Sequence, residues 1–171
     1  MTIKNILKRI LGIYDYDREG ERLIKKSSHL FNSGKRINIY RAIRIYNKLR
    51  HKYMCAIWPG IFIDDSVYIS HAHDIYIGTT ASIGRNCKIY PGVKVIAAVK
   101  GDEERNQLNI KRHPQIGNGC TLGAGAIIIG PINIEDDVFI AAGAIVTKDI
   151  PAHSLVKNVN EILIKIEDKT Y

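Results

Sequence analysis

The sequence predicts a mainly β protein: a parallel β-helix wound from hexapeptide repeats and preceded by a short helical segment. Three observations carry that reading. Ile116, Leu122, Ile128, Ile134, Ile140 and Val146 stand six residues apart. Four places after each comes a small or branched apolar residue: Cys120, Ala126, Ile132, Val138, Ala144 and Ile150. The same rhythm runs upstream through Ile77, Ile83, Ile89 and Val95, with Ala81, Cys87, Val93 and Val99 at the matching offset. Helices repeat at about 3.6 residues and strands at about two, so neither produces a period of six. A hexad does so by building one flat side of a coil and turning two side chains inward.

The 171 residues suit one compact domain with a small appendage. Residues 1–55 contain no hexads and read as a basic helical segment. Ile3, Ile6, Leu7 and Ile10 fit one helical face, and Ile37, Tyr40, Ile43 and Tyr46 fit another. Ser33 and Gly34 mark the break between helices. These apolar stripes are expected to pack on the coils or on a neighbouring subunit.

Charge is unevenly placed. Of 25 Lys and Arg residues, 14 fall within residues 1–55 against four acids, Asp15, Asp17, Glu19 and Glu21. The remainder of the chain is slightly acidic. A basic segment suits phosphate or peripheral contact with an anionic membrane surface, or is a solvated helical face. No nucleic-acid-binding motif accompanies it, so nucleic acid is not an expected partner. Cys87 and Cys120 take inward hexad positions, and Cys55 precedes the first coil. Reduced thiols and a cytoplasmic protein are expected. Lys8 and Arg9 interrupt the apolar start, which argues against a signal peptide.

The coil is expected over 56–154, entered through Ile57, Ile63 and Ile69 with Ile61 and Val67 inside. The rhythm then slips. Ile69 to Ile77 is eight residues, and the extra pair lies within Ser70-His71-Ala72-His73-Asp74. Such an irregularity bulges outward and often marks a site. A second interruption at about 100–115 is too polar for a coil side and reads as an extruded loop. Residues 155–171 form a C-terminal cap.

Hexad β-helices serve two broad chemistries, acyl transfer and metal-dependent hydration. Hydration needs three histidines on one metal, and His71, His73 and His113 lack any framework at coil spacing, so no metal is expected. Acyl transfer to a hydroxyl needs a base, and imidazole suits that role at neutral pH. His71, at the slip, is the candidate base. His113, in Lys111-Arg112-His113-Pro114 where the loop re-enters the coil, is the second catalytic candidate. His73 is partner, substrate ligand or bystander.

The segments IWPGIFIDDSVYISHAHDIYIGTTASIGRNCKIYPGVKV and KRHPQIGNGCTLGAGAIIIGPINIEDDVFIAAGAIVTKDIP resemble serine O-acetyltransferase. They are equally similar to the related exopolysaccharide O-acetyltransferases of the left-handed β-helix superfamily. The resemblance implies a left-handed coil, acetyl-CoA as co-substrate, and a homotrimer with sites between adjacent subunits. It implies His71 as the base and His113 with Arg112 as the acceptor-binding pair. Gly123, Ala124, Ala142 and Gly143 match positions whose backbone lines the CoA slot, and Lys148 falls near a cation at its nucleotide end.

Departures bear on the acceptor. Ser70 replaces the aspartate before the base, Ala56 replaces the acid that orients it, and His73 and Asp74 replace small residues. Asp74, Asp64 or Asp65 would have to take over. Lys157-Asn158-Val159-Asn160 replaces the closing G-x-P-A. The buried ammonium of serine wants a carboxylate beside it. The expectation is therefore an acetyl-CoA-dependent O-acetyltransferase whose hydroxyl acceptor, bounded by Ser70, His73, Asp74 and Arg112, belongs to a sugar or polysaccharide precursor. Serine acetylation is the alternative, and a non-catalytic trimeric scaffold with a basic arm is the alternative of another class.

Overall fold

The structure, a computed structural model, describes residues 16–98 and 112–157. The expected stripe at Ile3–Ile10, the body of the extruded loop and the cap beyond Lys157 lie outside the described residues. Among the described residues, helices α1 (Tyr16–Asn32) and α2 (Arg36–Tyr53) lead into thirteen short strands. Gly34, at φ 70°, makes the turn between the helices, as Ser33 and Gly34 foretold.

The helix pair is held by a stripe other than the one expected. Ala42, Leu49 and Tyr53 are the buried residues of α2, spaced at seven and four to follow one helical face. Ala42 is small enough for α1 to come close, and Ser27 donates its hydroxyl to the Ala42 carbonyl at 3.0 Å. Ile37 and Tyr40, which the sequence placed on a packing face, are 57% and 60% exposed. They lie on a different face of α2 from the Ala42 stripe. Ser28 joins the helices to the coil: its hydroxyl donates to the Ile61 carbonyl at 2.8 Å and accepts the Ile63 N–H at 2.9 Å.

The strands form three parallel sheets, the three sides of a prism. On the first side run β1 (Ala56–Ile57), β3 (Tyr76–Ile77), β6 (Lys94–Ile96), β9 (Ile127–Ile129) and β12 (Ile145–Val146). The second holds β4 (Ser82–Ile83), β7 (Gln115–Ile116) and β10 (Asn133–Ile134). The third holds β2 (Tyr68–Ile69), β5 (Lys88–Ile89), β8 (Thr121–Leu122), β11 (Phe139–Ile140) and β13 (Leu155–Val156). The chain visits the sides in the order first, second, third, and then climbs to the next coil. That is the connectivity of a parallel β-helix.

Alternation within each two-residue strand sends the first side chain out and the second in, as Tyr68 and Ile69 illustrate. Register stacks equivalent inward residues on successive coils, Ile77 on Val95 and Val95 on Ile128. The positions four places on are buried too: Cys87, Cys120, Ala126, Ile132, Val138, Ala144 and Ile150 all join one continuous core. Parallel stacking pairs the backbone of each coil with the next.

Candidate active site

One corner joins the third side to the first. Asp74, Gly92, Gly125 and Gly143 occupy equivalent places on four successive coils there, each two residues before its first-side strand. All four have positive φ, at 53°, 76°, 68° and 69°. Asp74 donates its N–H to Tyr53 at the end of α2, at 3.0 Å, and the three glycines donate theirs to the coil before, to His73, Pro91 and Ala124, at 3.1, 2.8 and 2.8 Å. Glycine adopts this conformation freely, and aspartate tolerates it because its short side chain bonds locally. Asp74 is thus the carboxylate in a column of glycines.

The two extra residues of the slip fall just before Asp74. His71 is exposed and stands at φ 43°, a conformation that costs a non-glycine residue on the order of 1 kcal/mol or more and clusters at functional sites. Ala72 is buried beneath α1, where a Cβ added to Gly20 would lie 2.6 Å from the Ala72 Cβ. Tight packing behind Ala72 therefore pushes His71 and His73, both exposed, outward. Ser70 is buried, at 6% exposure, and its N–H donates to the Ile89 carbonyl at 2.9 Å. Asp74 is held from the coil above, because Lys94 Nζ donates to both its carboxylate and its carbonyl.

Gly123, Ala124, Ala142 and Gly143 of the expected CoA slot lie on the same corner. Ala124, Ala142 and Gly143 are exposed, and Gly123 is buried. Gly123 N–H donates to Ile140 O at 2.8 Å, and an added Cβ would meet Ala142 N at 2.5 Å. Stacking of coils thus accounts for that glycine, whereas Ala124 and Ala142 keep the outer edge free of bulk.

The other corner joins the first side to the second, and the loop return is built into it. The His113 ring lies over Gly78, whose added Cβ would fall 1.9 Å from Nε2. Its Nδ1 faces Thr80, 2.7 Å from the hydroxyl and 3.3 Å from the N–H. Gln115 Nε2 donates to the carbonyls of Thr80 and His113 at 2.9 and 3.0 Å, while its Oε1 accepts from Ser82 at 2.8 Å. Burial, reinforced by the Arg112 cation, holds the His113 imidazole below the usual histidine range. Arg112 is half-buried beside it, and Lys148 is exposed further along the same corner, just past β12.

His71 and His113 therefore lie at opposite borders of the first side, with β3 between them. Within one chain, the candidate base shares a corner with the small residues, and the candidate acceptor pair shares the other corner with Lys148. Thr80, Gln115, Gly78 and Lys94 were not anticipated. Thr80 stands 33 residues before His113, a separation no local motif reports; only the coil period with the loop subtracted would have paired them. Among the described residues no group of three or more His, Cys, Asp or Glu is placed to hold a metal ion. No helix among them is long and apolar enough to cross a membrane.

Residues 113–148 match the family described as bacterial transferase hexapeptide (six repeats). The chain is 38% identical over 103 residues to serine acetyltransferase of Mycobacterium tuberculosis, covering 60% of the chain and 42% of the relative. It is 31% identical over 140 residues to serine acetyltransferase 2 of Arabidopsis thaliana, covering 82% of the chain and 40% of the relative. The chain thus spans less than half the length of either. Among solved structures it resembles Neisseria gonorrhoeae serine acetyltransferase with a TM-score of 0.71 at 27% identity, covering 85% of this chain and 54% of that one. Soybean serine acetyltransferase complexed with serine gives 0.66 at 26%, covering 82% and 54%.

Fold and repeat together define a left-handed β-helix of the hexapeptide-repeat class. Within that class, the chain is serine-acetyltransferase-like in both sequence and fold.

Proposed function

We propose that the protein is an acetyl-CoA-dependent O-acetyltransferase whose acceptor is the hydroxyl of L-serine. The observation that carries this is the third-to-first corner, where His71 stands at the N-terminal end of a column of small residues running through Gly92, Gly125 and Gly143. An exposed imidazole at one end of a bulk-free edge suits a base beside the reacting end of a long, thin thioester. The resemblance to serine acetyltransferases supplies the acceptor and the acyl donor.

In this reading the His71 imidazole takes the proton of the acceptor hydroxyl as its oxygen attacks the thioester carbonyl carbon. The tetrahedral intermediate collapses with cleavage of the carbon–sulfur bond. The departing thiolate recovers the proton from the imidazolium, leaving O-acetyl product and free CoA. Transfer is direct: Cys55, Cys87 and Cys120 are all buried in the core and offer no nucleophile. Arg112 suits the acceptor carboxylate, since a guanidinium pairs with one in bidentate fashion. Because the two corners of one chain are separated by β3, the site is completed by the His113 corner of a second copy, in keeping with a homotrimer.

One observation favours a second reading, a neutral hydroxyl acceptor such as a sugar. Ser70 and Ala56 supply no carboxylate, and the Asp74 carboxylate is already engaged by Lys94, so among the described residues no further acid stands at that corner for an ammonium. Thiol release from acetyl-CoA, followed against L-serine, free sugars and nucleotide sugars, separates the two. Turnover with L-serine supports the primary reading. Turnover with a sugar and none with L-serine moves the acceptor to the second reading, and silence across the panel without CoA binding overturns acetyl transfer.

A further inference from the structure

The Thr80 hydroxyl sits among two backbone donors and one ring nitrogen. It lies 3.1 Å from Arg112 N and 3.3 Å from His113 N, and 2.7 Å from His113 Nδ1. A hydroxyl has one proton and two lone pairs. The two backbone N–H groups can only donate, so they take both lone pairs. The hydroxyl proton then has one remaining partner, His113 Nδ1. Thr80 N–H points at the same nitrogen from 3.3 Å.

Two donors converging on Nδ1 leave it no room for a proton of its own. We propose that Thr80 is a positioning residue that fixes His113 as the neutral tautomer protonated at Nε2, so that His113 serves the acetyl-transfer site as a hydrogen-bond donor and not as a proton acceptor. The inference rests on the functional reading above and divides the labour between the two candidate histidines. His71 takes the proton; His113 presents an N–H to the acceptor or to the oxygen that becomes negative in the tetrahedral intermediate. A donor held in place before the reaction is worth most when it needs no reorientation as charge develops.

The neighbours support the assignment. The ring is seated on Gly78, where any side chain would displace it. Gln115 braces both ends of the clasp by donating to the carbonyls of Thr80 and His113. Among the described residues, Arg112 is the charged group that bears on the protonation of the ring. A cation at that position disfavours the imidazolium and keeps Nδ1 free to accept.

The test is ring nitrogen NMR on the intact protein labelled at histidine, with the His113 signals assigned by their loss in His113→Gln. The expected wild-type spectrum at neutral pH shows Nε2 protonated and Nδ1 unprotonated, with a titration midpoint below that of free histidine. Thr80→Val should raise the midpoint or mix the tautomers and cut kcat roughly tenfold or more, with KM for acetyl-CoA unchanged. Thr80→Ser, which keeps the hydroxyl, should restore both. A wild-type ring protonated at Nδ1, or a Thr80→Val ring indistinguishable from wild type, overturns the assignment. A wild-type ring protonated at Nε2 in a protein that transfers acetyl to no acceptor sustains the tautomer and sinks the functional reading instead.

Discussion

The backbone N–H of Gly92 donates to the carbonyl of His73 at 3.1 Å. Through that bond the irregular corner containing His71 is locked to the regular coil above it. Gly20 closes the corner from behind by packing on Ala72. His71 is thus presented by a rigid support, as an exposed base in a β-helix must be if it is to meet a substrate with little reorganisation.

Gly78 is predicted to be needed by the His113 ring and not by the coil. In Gly78→Ala the new Cβ would fall 1.9 Å from His113 Nε2, and Gly78 has no positive φ to protect. The ring should be expelled and kcat/KM should fall roughly tenfold or more, as expected on misplacing one preorganised donor. The far-UV spectrum should be unchanged. Steady-state kinetics beside circular dichroism check this.

Gly123→Ala should behave in the opposite way. Its Cβ would press against the backbone of Ala141 and Ala142 on the next coil, 2.5 Å from Ala142 N. Backbone cannot give as a side chain does, so a loss of about 1–3 kcal/mol is expected from overpacking. Urea unfolding measures it. Retention of acetyl-CoA binding in the folded fraction would separate coil stacking from ligand contact.

Ser28→Ala should loosen the helices from the first coil. Removing the hydroxyl strands the buried Ile61 carbonyl and Ile63 N–H. Each stranded group costs about 1–3 kcal/mol, and the site lies far enough away for kcat to be kept. Chemical denaturation and kinetics on the same variant test both halves.

Glu19 gives the helix pair a pH dependence. Its carboxylate accepts from Lys48 at 3.1 Å and Lys52 at 3.0 Å. The bond to Lys52 above all pushes the Glu19 pKa down to about 2. A depressed carboxylate contributes stability that is fully present above its unfolded value and fades as pH falls through the folded one. The gap in melting temperature between wild type and Glu19→Gln should be widest near neutrality and shrink between about pH 5 and pH 2. A gap independent of pH would refute the pairing.

Period six made the coil legible because every inward position repeats, down to Cys87 and Cys120 in the core. The slip at Ser70–Asp74 was legible for the same reason, as a break in a strict count. Within one chain the buried helix face differs from the expected stripe: Ile37, Tyr40 and Ile43 are exposed and Tyr46 meets the Trp58 ring edge-on, while α2 turns Ala42, Leu49 and Tyr53 inward. Close approach at Ala42 outweighs bulk, and hydropathy alone does not register that. The hold of Lys94 on Asp74 depends on coil stacking across 20 residues, which no local pattern reports. The Thr80 clasp was hidden by the intervening loop.

The most direct measurement is complementation between two inactive variants. His71→Ala removes the base and should cost roughly 10²–10⁴-fold in thiol release from acetyl-CoA, while His113→Gln removes the donor at the other corner. Neither alone should turn over appreciably. In mixed oligomers formed from equal amounts, a site that takes one corner from each of two adjacent copies would be intact in about a quarter of the interfaces. Recovery of activity to that order is the expected result. Mixed oligomers, verified by mass, that stay as inactive as the separate variants would contradict a site shared between copies, and near-normal turnover by His71→Ala would contradict the base itself.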